Sequence, residues 1–377
     1  MLTATRAEYG LLSPLIKKLR EQPEFDTRVV VTGMHLSPEF GLTYKEIEAD
    51  GVEIDRKMEM LISSDTPSAV TKSMGVALMS FADYFAETAP DALVVLGDRY
   101  EAFAVCIAAM NVRIPIFHIH GGEITEGAID DAIRHCITKL SYLHFTSTED
   151  YRKRVIQLGE EPDRVFNVGA LGVENALNVE KMSQDELEKS IDWELGDSYA
   201  VLTFHPVTLD KQAPEEQVKE LLDAIDEFPQ IRFLATKANA DAGGHVINEM
   251  LSQYSKTHEN MKLVDSLGMK RYLSAVQYAK FVIGNSSSGL IEVPALGVPT
   301  IDIGDRQRGR TSGKTVVHCV TNSKEINKAI RKVLDGGYSK SNELDNSPYG
   351  DGCTSNKIIE IIKRVFETDI TNIKKIF

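Results

Sequence analysis

The 377-residue sequence lacks paired cysteines, long apolar runs and a positively charged balance. Its four cysteines are scattered, with no CxxC pair: Cys106, Cys136, Cys319 and Cys353. This usage is typical of reduced thiols in a cytoplasmic protein and makes a zinc site unexpected. The longest apolar run, residues 102–110, is far shorter than the roughly 20 residues that span a bilayer. The N-terminus has no signal-peptide pattern.

The sequence also lacks GxGxxG and GxxxxGK[ST] motifs, so neither an NAD site nor a Walker-type ATP site is indicated. The net charge of −14 argues against nucleic acid or a membrane surface as a partner. An anionic small ligand would need local donors to hold it. The arginine-rich run GDRQRGR at residues 304–310 offers them, although such a run is also typical of a solvated loop.

What the sequence does contain is a regular alternation of short β-branched runs and helical patterns. Strands are predicted at residues 28–32, 92–96, 114–118, 199–204, 231–235, 261–264, 281–283 and 300–303. In the first half, helices are predicted between them at residues 11–20, 69–88 and 102–110. Such alternation predicts parallel sheets covered on both faces. Because the chain exceeds the usual size of one core, we predict an α/β protein with two doubly wound, Rossmann-like domains.

The domain boundary is predicted where the chain becomes polar and helical, at residues 169–190. This gives domains at residues 1–170 and 171–356. A doubly wound half normally opens with a strand of about five residues, but only MLTAT precedes residues 6–10, which we predict to form a loop. Either the first strand is very short or its true start lies upstream, and we favour the upstream start.

Five predicted strands end in polar sequence. In chain order these ends carry Asp98 and Arg99, then HIHGGE with His120 and Glu123, then His205, GNSSSG and GDRQRGR. Ligands of open parallel sheets bind at the carboxyl ends of strands. Five such ends predict a cleft between the two domains.

The run GNSSSGLIEV predicts an anion site. Small residues allow backbone N–H groups to approach a phosphate, and the helix that follows directs its positive end toward it. Glu292, about one turn into that helix, could reach a sugar hydroxyl. The alternative is an ordinary helix cap by Ser286 or Ser287. We predict a nucleoside diphosphate, with Arg6 and Arg306 as counter-charges.

A histidine in the second half of the sequence is a further candidate. His205 stands between a predicted strand and Pro206, where it could protonate or hydrogen-bond a leaving phosphate, although a lone histidine is more often structural.

In AIDDAIRH, Asp130 and Arg134 are spaced i,i+4, as are Asp131 and His135. Each pair could equally be a surface ion pair worth less than about 1 kcal/mol. Consecutive helical residues point about 100° apart, so both pairs cannot face one ligand. We favour Asp130 with Arg134 facing the cleft.

The motifs TRAEYG, GDRYE, HIHGGE…DDAIRH, FHPVT, GNSSSGLIEVP and GDRQRGR together resemble the UDP-N-acetylglucosamine 2-epimerase family. Within it they resemble the hydrolysing branch, which begins sialic-acid-type biosynthesis. The resemblance covers residues 5–364, with the motifs in the family's order. It implies a GT-B fold of two Rossmann-like domains facing across a cleft, a UDP-sugar substrate, no metal or redox cofactor, and a homodimer or homotetramer. It also implies that the C-terminal helix, 357–377, packs back on the first domain.

Motif matching assigns residues to two tasks. The residues implied in UDP binding are Arg6, Arg99, Asn285, Ser286, Ser287, Ser288, Glu292 and Arg306. The residues implied in catalysis are Asp98, His120, Glu123, Asp130, Arg134 and His205. One position departs from the family, because many relatives have HIEGGE and this chain has His120 in place of that glutamate. A neutral His120 could act as the base, or Glu123 could replace the missing carboxylate.

The resemblance implies hydrolysis of UDP-N-acetylglucosamine to N-acetylmannosamine and UDP through a 2-acetamidoglucal. Carboxylates suit that chemistry, since they shelter a cationic ring and move protons. The nearest alternative is the same reaction on UDP-N,N'-diacetylbacillosamine in legionaminic acid synthesis. A non-hydrolysing epimerase, a GT-B glycosyltransferase and a non-catalytic UDP-sugar sensor are further alternatives.

Overall fold

A computed structural model describes residues 1–62, 66–125, 129–207, 212–238, 244–336 and 347–368. Parts of three predicted features lie outside these residues: 126–128 of the HIHGGE…DDAIRH motif, Thr208 of FHPVT, and 369–377 of the last helix. The chain forms two compact units. Unit 1 contains Met1–Ile124 and the described segments 129–171 and 353–368, and unit 2 is mainly Gly172–Gly352.

Unit 1 is built on parallel strands. They are β1 Leu2–Thr3, β2 Val30–Thr32, β3 Arg56–Met58, β4 Leu93–Leu96, β5 Ile116–Ile119, β6 Leu143–Thr146 and β7 Val165–Asn167. One ladder has the order β1-β2-β3 and the other β4-β5-β6-β7, and β1 contacts β4. The resulting order, β3-β2-β1-β4-β5-β6-β7, is that of a Rossmann-like sheet.

Helices cover both faces of this sheet. They are α1 Arg6–Arg20, α2 Tyr44–Ala49, α3 Pro67–Thr88, α4 Tyr100–Asn111, α5 Ile129–Leu140 and α6 Glu149–Gln157, with 3-10 turns at Gly33–Leu36, Pro38–Phe40 and Pro162–Arg164. The loop predicted at residues 6–10 is wrong, because α1 already begins at Arg6. Thr5 caps this helix by accepting the N–H of Glu8 at 3.2 Å, so the helix needs no apolar periodicity to start here.

Unit 2 has a second parallel sheet. Its strands are β8 Tyr199–Thr203, β9 Arg232–Thr236, β10 Met261–Val264, β11 Phe281–Gly284, β12 Thr300–Ile303 and β13 Val316–Cys319, in the order β10-β9-β8-β11-β12-β13. Its helices are α7 Leu171–Asn178, α8 Gln184–Ile191, α9 Pro214–Ile225, α10 Gly244–Thr257, α11 Gly268–Tyr278, α12 Ser288–Ala295 and α13 Ser323–Leu334. The last helix of the described chain, α14 Thr354–Phe366, packs against α1 in unit 1.

Burial explains why the strands read as short apolar runs. In β8, Ala200 and Leu202 face one apolar cluster while Tyr199 and Val201 face the other. A strand covered on both faces loses the polar alternation of a half-exposed strand. Conversely, β3 and β13 are partly exposed and carry basic or polar residues, so apolar runs did not predict them. No helix in the described part of the chain is long and apolar enough to cross a membrane.

Candidate functional site

The polar residues of unit 1 meet at the carboxyl ends of β4 and β5. Gly97 ends β4 in a left-handed conformation (φ +79°), and Asp98 follows it. The buried guanidinium of Arg134, on α5, donates to Asp98 Oδ2. It also donates to the backbone oxygen of Glu123 at 2.8 Å. One arginine therefore joins a strand end, the loop after the next strand and a helix.

Helix α5 also positions its own acidic residues around this arginine. Asp131 Oδ1 lies 3.4 Å from Arg134 Nη1, and Asp131 Oδ2 lies 3.5 Å from His135 Nε2. The predicted pairing of Asp131 with His135 is confirmed, and Asp131 contacts Arg134 as well. Asp130 lies half-buried in the first turn of the helix, and its role remains a prediction.

His118 supports the turn before Asp98 and was not among the predicted site residues. Its Nε2 lies 2.7 Å from the oxygen of Gly97, and its Nδ1 lies 3.3 Å from the hydroxyl of Thr138. Burial lowers the pKa of His118 to about 3, so the ring is neutral at ordinary pH. A carbonyl can only accept, so Nε2 carries the proton and donates to Gly97. A histidine in an otherwise apolar strand was the only sequence signal.

His120 and Glu123 lie together in the loop after β5. His120 has a left-handed backbone (φ +66°) and is 8% exposed. Its Nδ1 is 3.4 Å from Glu123 Oε1. That oxygen also accepts the hydroxyl of Ser147 at 2.9 Å. Sequence reasoning named the first two residues as alternatives and missed Ser147, which follows β6.

Arg99 has its charge balanced within unit 1. The side chain of Glu101, fully buried, accepts two hydrogen bonds from it, at 3.0 Å to Nε and 2.7 Å to Nη2. Burial raises the pKa of the adjacent Glu8 to about 7, with Arg99 opposing this rise and Glu101 adding to it. Arg6 is exposed at the first position of α1. The UDP contacts predicted for Arg6 and Arg99 remain predictions.

In unit 2, His205 follows β8 and is held by Asn285. The backbone N–H of His205 donates to Asn285 Oδ1 at 2.7 Å, and Asn285 Nδ2 donates to the oxygen of His205 at 2.8 Å. Burial, with a smaller effect of the Arg306 charge, lowers the pKa of His205 to about 4. A neutral ring suits the predicted hydrogen bond to a leaving phosphate better than proton donation from an imidazolium.

The serine turn begins at Gly284, whose backbone (φ +141°) favours glycine. A Cβ there would collide with the carbonyl oxygen of Thr203 on the neighbouring strand, so only glycine permits this approach of β11 to β8. Ser287 precedes α12 without any side-chain capping bond. Ser286 accepts the N–H of Ser288 at a long 3.4 Å. Ordinary capping therefore uses Ser286 weakly and Ser287 not at all.

The loop after β12 forms hydrogen bonds to this turn. Arg306 Nη1 and the buried Gln307 Nε2 donate to the oxygen of Asn285 at 3.3 and 2.8 Å. Gln307 was not predicted. Because Asn285 also holds His205, one asparagine ties together the ends of β8, β11 and β12.

Glu292 lies on α12 with its carboxylate against Gly172 in the first turn of α7. A Cβ at position 172 would overlap that carboxylate, so the glycine makes room for it. The buried hydroxyl of Tyr272 faces the same region. Burial raises its pKa, Ser288 opposes the rise, and Glu292 adds to it. Tyr272 was missed because α11 has two tyrosines and nothing in the sequence distinguishes this one. Among the described residues, no group of three or more His, Cys, Asp or Glu side chains could hold a metal ion.

Two Rossmann-like units, one with a serine turn ahead of a helix and one with a carboxylate–arginine pair, define a protein of the GT-B class. A family model described as UDP-N-acetylglucosamine 2-epimerase matches residues 17–363, and the chain belongs to this family. The family and the GT-B fold predicted from the motifs are confirmed.

Two related sequences and one solved structure show how similar the chain is to individual proteins. The chain is 43% identical to polysialic acid biosynthesis protein P7 of Escherichia coli, over 92% of this chain and 89% of that protein. It is 41% identical to a hydrolysing GDP/UDP-N,N'-diacetylbacillosamine 2-epimerase of Campylobacter jejuni, over 96% and 93% of the two chains. The crystal structure of the UDP-GlcNAc 2-epimerase from Neisseria meningitidis, bound to UDP-GlcNAc, has the same fold. Its TM-score is 0.81, with 17% identity and coverage of 96% and 98%.

Proposed function

We propose that the protein is a hydrolysing 2-epimerase of UDP-N-acetylglucosamine, which releases N-acetylmannosamine and UDP. The observation that carries the hydrolytic 2-epimerisation is the 41% identity to a hydrolysing 2-epimerase over 96% of this chain. The choice of UDP-N-acetylglucosamine as the substrate follows from the motif resemblance. The pair formed by buried Arg134 and partly exposed Asp98 supports the proposal, since it places a carboxylate at the end of β4 with a fixed orientation. We further propose that the enzyme works as a homodimer or homotetramer, which light scattering in solution would test.

We propose that unit 2 holds UDP. The backbone at Ser286 and Ser287 would bind the phosphates, Arg306 would supply positive charge, and Glu292 would accept ribose hydroxyls. The absence of a capping bond from Ser287 supports this role, because its hydroxyl is not committed to α12. Neutral His205 would donate a hydrogen bond to the leaving phosphate, whose growing negative charge strengthens that bond.

The reaction must invert C2, which has no neighbouring carbonyl to acidify its proton. Cleavage of the C1–O bond makes the ring cationic and so acidifies the C2 proton. Loss of that proton gives the 2-acetamidoglucal, and water then adds with the opposite geometry at C2. Asp98 and Asp130 would stabilise the cationic ring and handle the proton of water, while Arg134 orients Asp98.

A second substrate is favoured by a specific observation. The Campylobacter relative is named for N,N'-diacetylbacillosamine, a sugar that differs from N-acetylglucosamine at C4 and C6. The same hydrolytic epimerisation of UDP-N,N'-diacetylbacillosamine is therefore the alternative. The two substrates share the C1 and C2 chemistry, so the residues named above would serve either one.

The test is incubation with each UDP-sugar in deuterated water, followed by NMR. We expect free 2-epimerised sugar with deuterium at C2 and stoichiometric UDP, and the substrate with the higher kcat/KM is the physiological one. Formation of a UDP-linked epimer without UDP release would indicate a non-hydrolysing enzyme. Absence of both deuterium at C2 and free sugar with either substrate would refute the proposal. The Asp98→Asn variant serves as the inactive control.

A further inference from the structure

The loop after β5 keeps a histidine in a conformation that suits glycine. His120 has φ +66°, although Gly121 and Gly122 follow it directly. A side chain in this region destabilises the backbone of an L-residue. The backbone is held there by the hydrogen bond from the His120 N–H to the oxygen of Phe145 at 2.8 Å. Such strain at a polar residue beside a strand end indicates a role for the side chain itself.

Contacts with helix α6 hold the turn at Gly121 and Gly122 in this conformation. Gly122 (φ +80°) lies so close to the backbone of Tyr151 that a Cβ there would stand 2.5 Å from its oxygen, and Arg154 donates to the oxygen of Gly122. The positions of His120 and Glu123 on either side of the two glycines are thereby set by packing against α6.

Glu123 is itself held in place. The residue is only 5% exposed, and Ser147 donates to its Oε1 at 2.9 Å. The same Oε1 lies 3.4 Å from Nδ1 of His120. The Glu123 backbone accepts from Arg134, which ties the pair to Asp98. A buried carboxylate beside a ring nitrogen favours a proton on that nitrogen.

We infer that His120 is the base that removes the C2 proton and that Glu123, fixed by Ser147, is its positioning residue. This inference rests on the proposed function. With the Nδ1 proton directed at Glu123, the lone pair of the imidazole is on Nε2. In this arrangement a carboxylate orients the base, as it does in catalytic triads. Ser147 enters as a residue that the motifs did not indicate.

The electron pair of the C1–O bond leaves with UDP, the pair of the C2–H bond forms the C1=C2 double bond, and the proton passes to Nε2. The carboxylate of Glu123 stabilises the imidazolium that results. Water then adds across the double bond: its hydroxyl goes to C1 and its proton goes to C2 on the face opposite to the one that lost the first proton, which gives the free 2-epimer. The imidazolium returns its proton to the solvent, which restores the base.

The test measures UDP release and C2 deuterium uptake in His120→Ala, Glu123→Gln and Ser147→Ala. We expect His120→Ala to lose at least about 100-fold in kcat and to recover activity when imidazole is added, because the free base fills the site. Glu123→Gln should lose about 10- to 100-fold in kcat with little change in KM, since it misorients the base without removing it. Ser147→Ala should change kcat in the same direction and by less.

Three results would overturn the inference. One is a His120→Ala enzyme within threefold of wild type. Another is a combination of two observations: imidazole does not rescue His120→Ala, and Glu123→Gln shows no deuterium uptake. This combination would make Glu123 the base. A third is a loss in Glu123→Gln that lies entirely in KM.

Two controls keep these results readable. First, each variant should match wild type in its UDP affinity, measured by calorimetry, and in its thermal unfolding. Second, if His120→Ala does not fold, His120→Asn replaces it, and we expect this variant to lose C2 deuterium uptake. If wild type acts on neither UDP-sugar, the proposed function fails and the inference fails with it. If wild type is active and His120 variants are too, only the inference fails.

Discussion

Arg134 donates to the carboxylate of Asp98, a residue 36 positions earlier in the chain. The guanidinium is buried and also bonds the backbone of Glu123 at 2.8 Å. The pair depends on both partners, because removal of Asp98 takes from the buried guanidinium one of its two carboxylate neighbours. The pair therefore links the stability of unit 1 to the orientation of a residue at the candidate site.

Arg134→Lys tests the fork geometry of this pair. Lysine keeps the charge but cannot bond Asp98 and the Glu123 backbone together, so we expect kcat to fall about 10- to 100-fold. Asp98→Asn should fall by more, and the double variant should lose less than the sum of the two losses. Steady-state UDP release measures all three. Arg20→Lys, at an exposed arginine of α1, is the matched control and should equal wild type; fully additive losses would show that the pair does not act as a unit.

Glu8→Gln tests a buried carboxylate. Burial raises the pKa of Glu8 from 4.5 to about 7, so the folded state binds more protons than the unfolded state between these values. The protonated side chain does not destabilise the fold at low pH. As pH rises between the two pKa values stability falls, by up to about 3 kcal/mol once pH exceeds 7. We expect Glu8→Gln to unfold at the same temperature as wild type at pH 5 and at a higher temperature at pH 8. An equal difference at both pH values would contradict the raised pKa.

His205 predicts acid sensitivity of unit 2. Its pKa is lowered from 6.5 to about 4, so the unfolded state binds more protons between these values. Stability is complete above pH 6.5 and decreases as pH falls toward 4, by up to about 3 kcal/mol. Trp193, the single tryptophan, lies in unit 2 and reports its urea unfolding by fluorescence. In His205→Gln this part of the pH dependence should vanish; an unchanged slope would assign it elsewhere.

Gly284→Ala should disrupt the serine turn. The new Cβ would meet the carbonyl oxygen of Thr203 in a backbone conformation unsuited to alanine, and we expect a loss of more than about 2 kcal/mol together with weakened UDP binding. Gly75→Ala is the opposite case, because Gly75 lies inside α3 with nothing within 4 Å of its Cβ position. That variant should gain about 0.5–1 kcal/mol. Thermal unfolding measures both, and similar shifts in the two variants would refute the steric explanation.

Much of the fold was predictable because buried segments are rich in apolar residues. Strands covered on both faces, such as β4 and β8, are apolar throughout, and each predicted strand lies within two residues of an observed one. The strands that were missed are short or partly exposed, and β6 carries His144 in a buried position that composition does not predict. At the start of α1, a single threonine cap outweighed the apparent loop character of the residues after it.

The sequence by itself determined the α/β class, the polar strand ends and the family, since these depend on local patterns and their order. Only the tertiary structure decided which polar groups meet. Helical spacing on α5 could pair Arg134 only with residues of its own helix, whereas its guanidinium also bonds Asp98 at the end of β4. Likewise, Ser147 reaches Glu123 across 24 positions. Contacts of this kind are set by which strands are neighbours in the parallel sheet, and helical spacing along the chain does not contain that information.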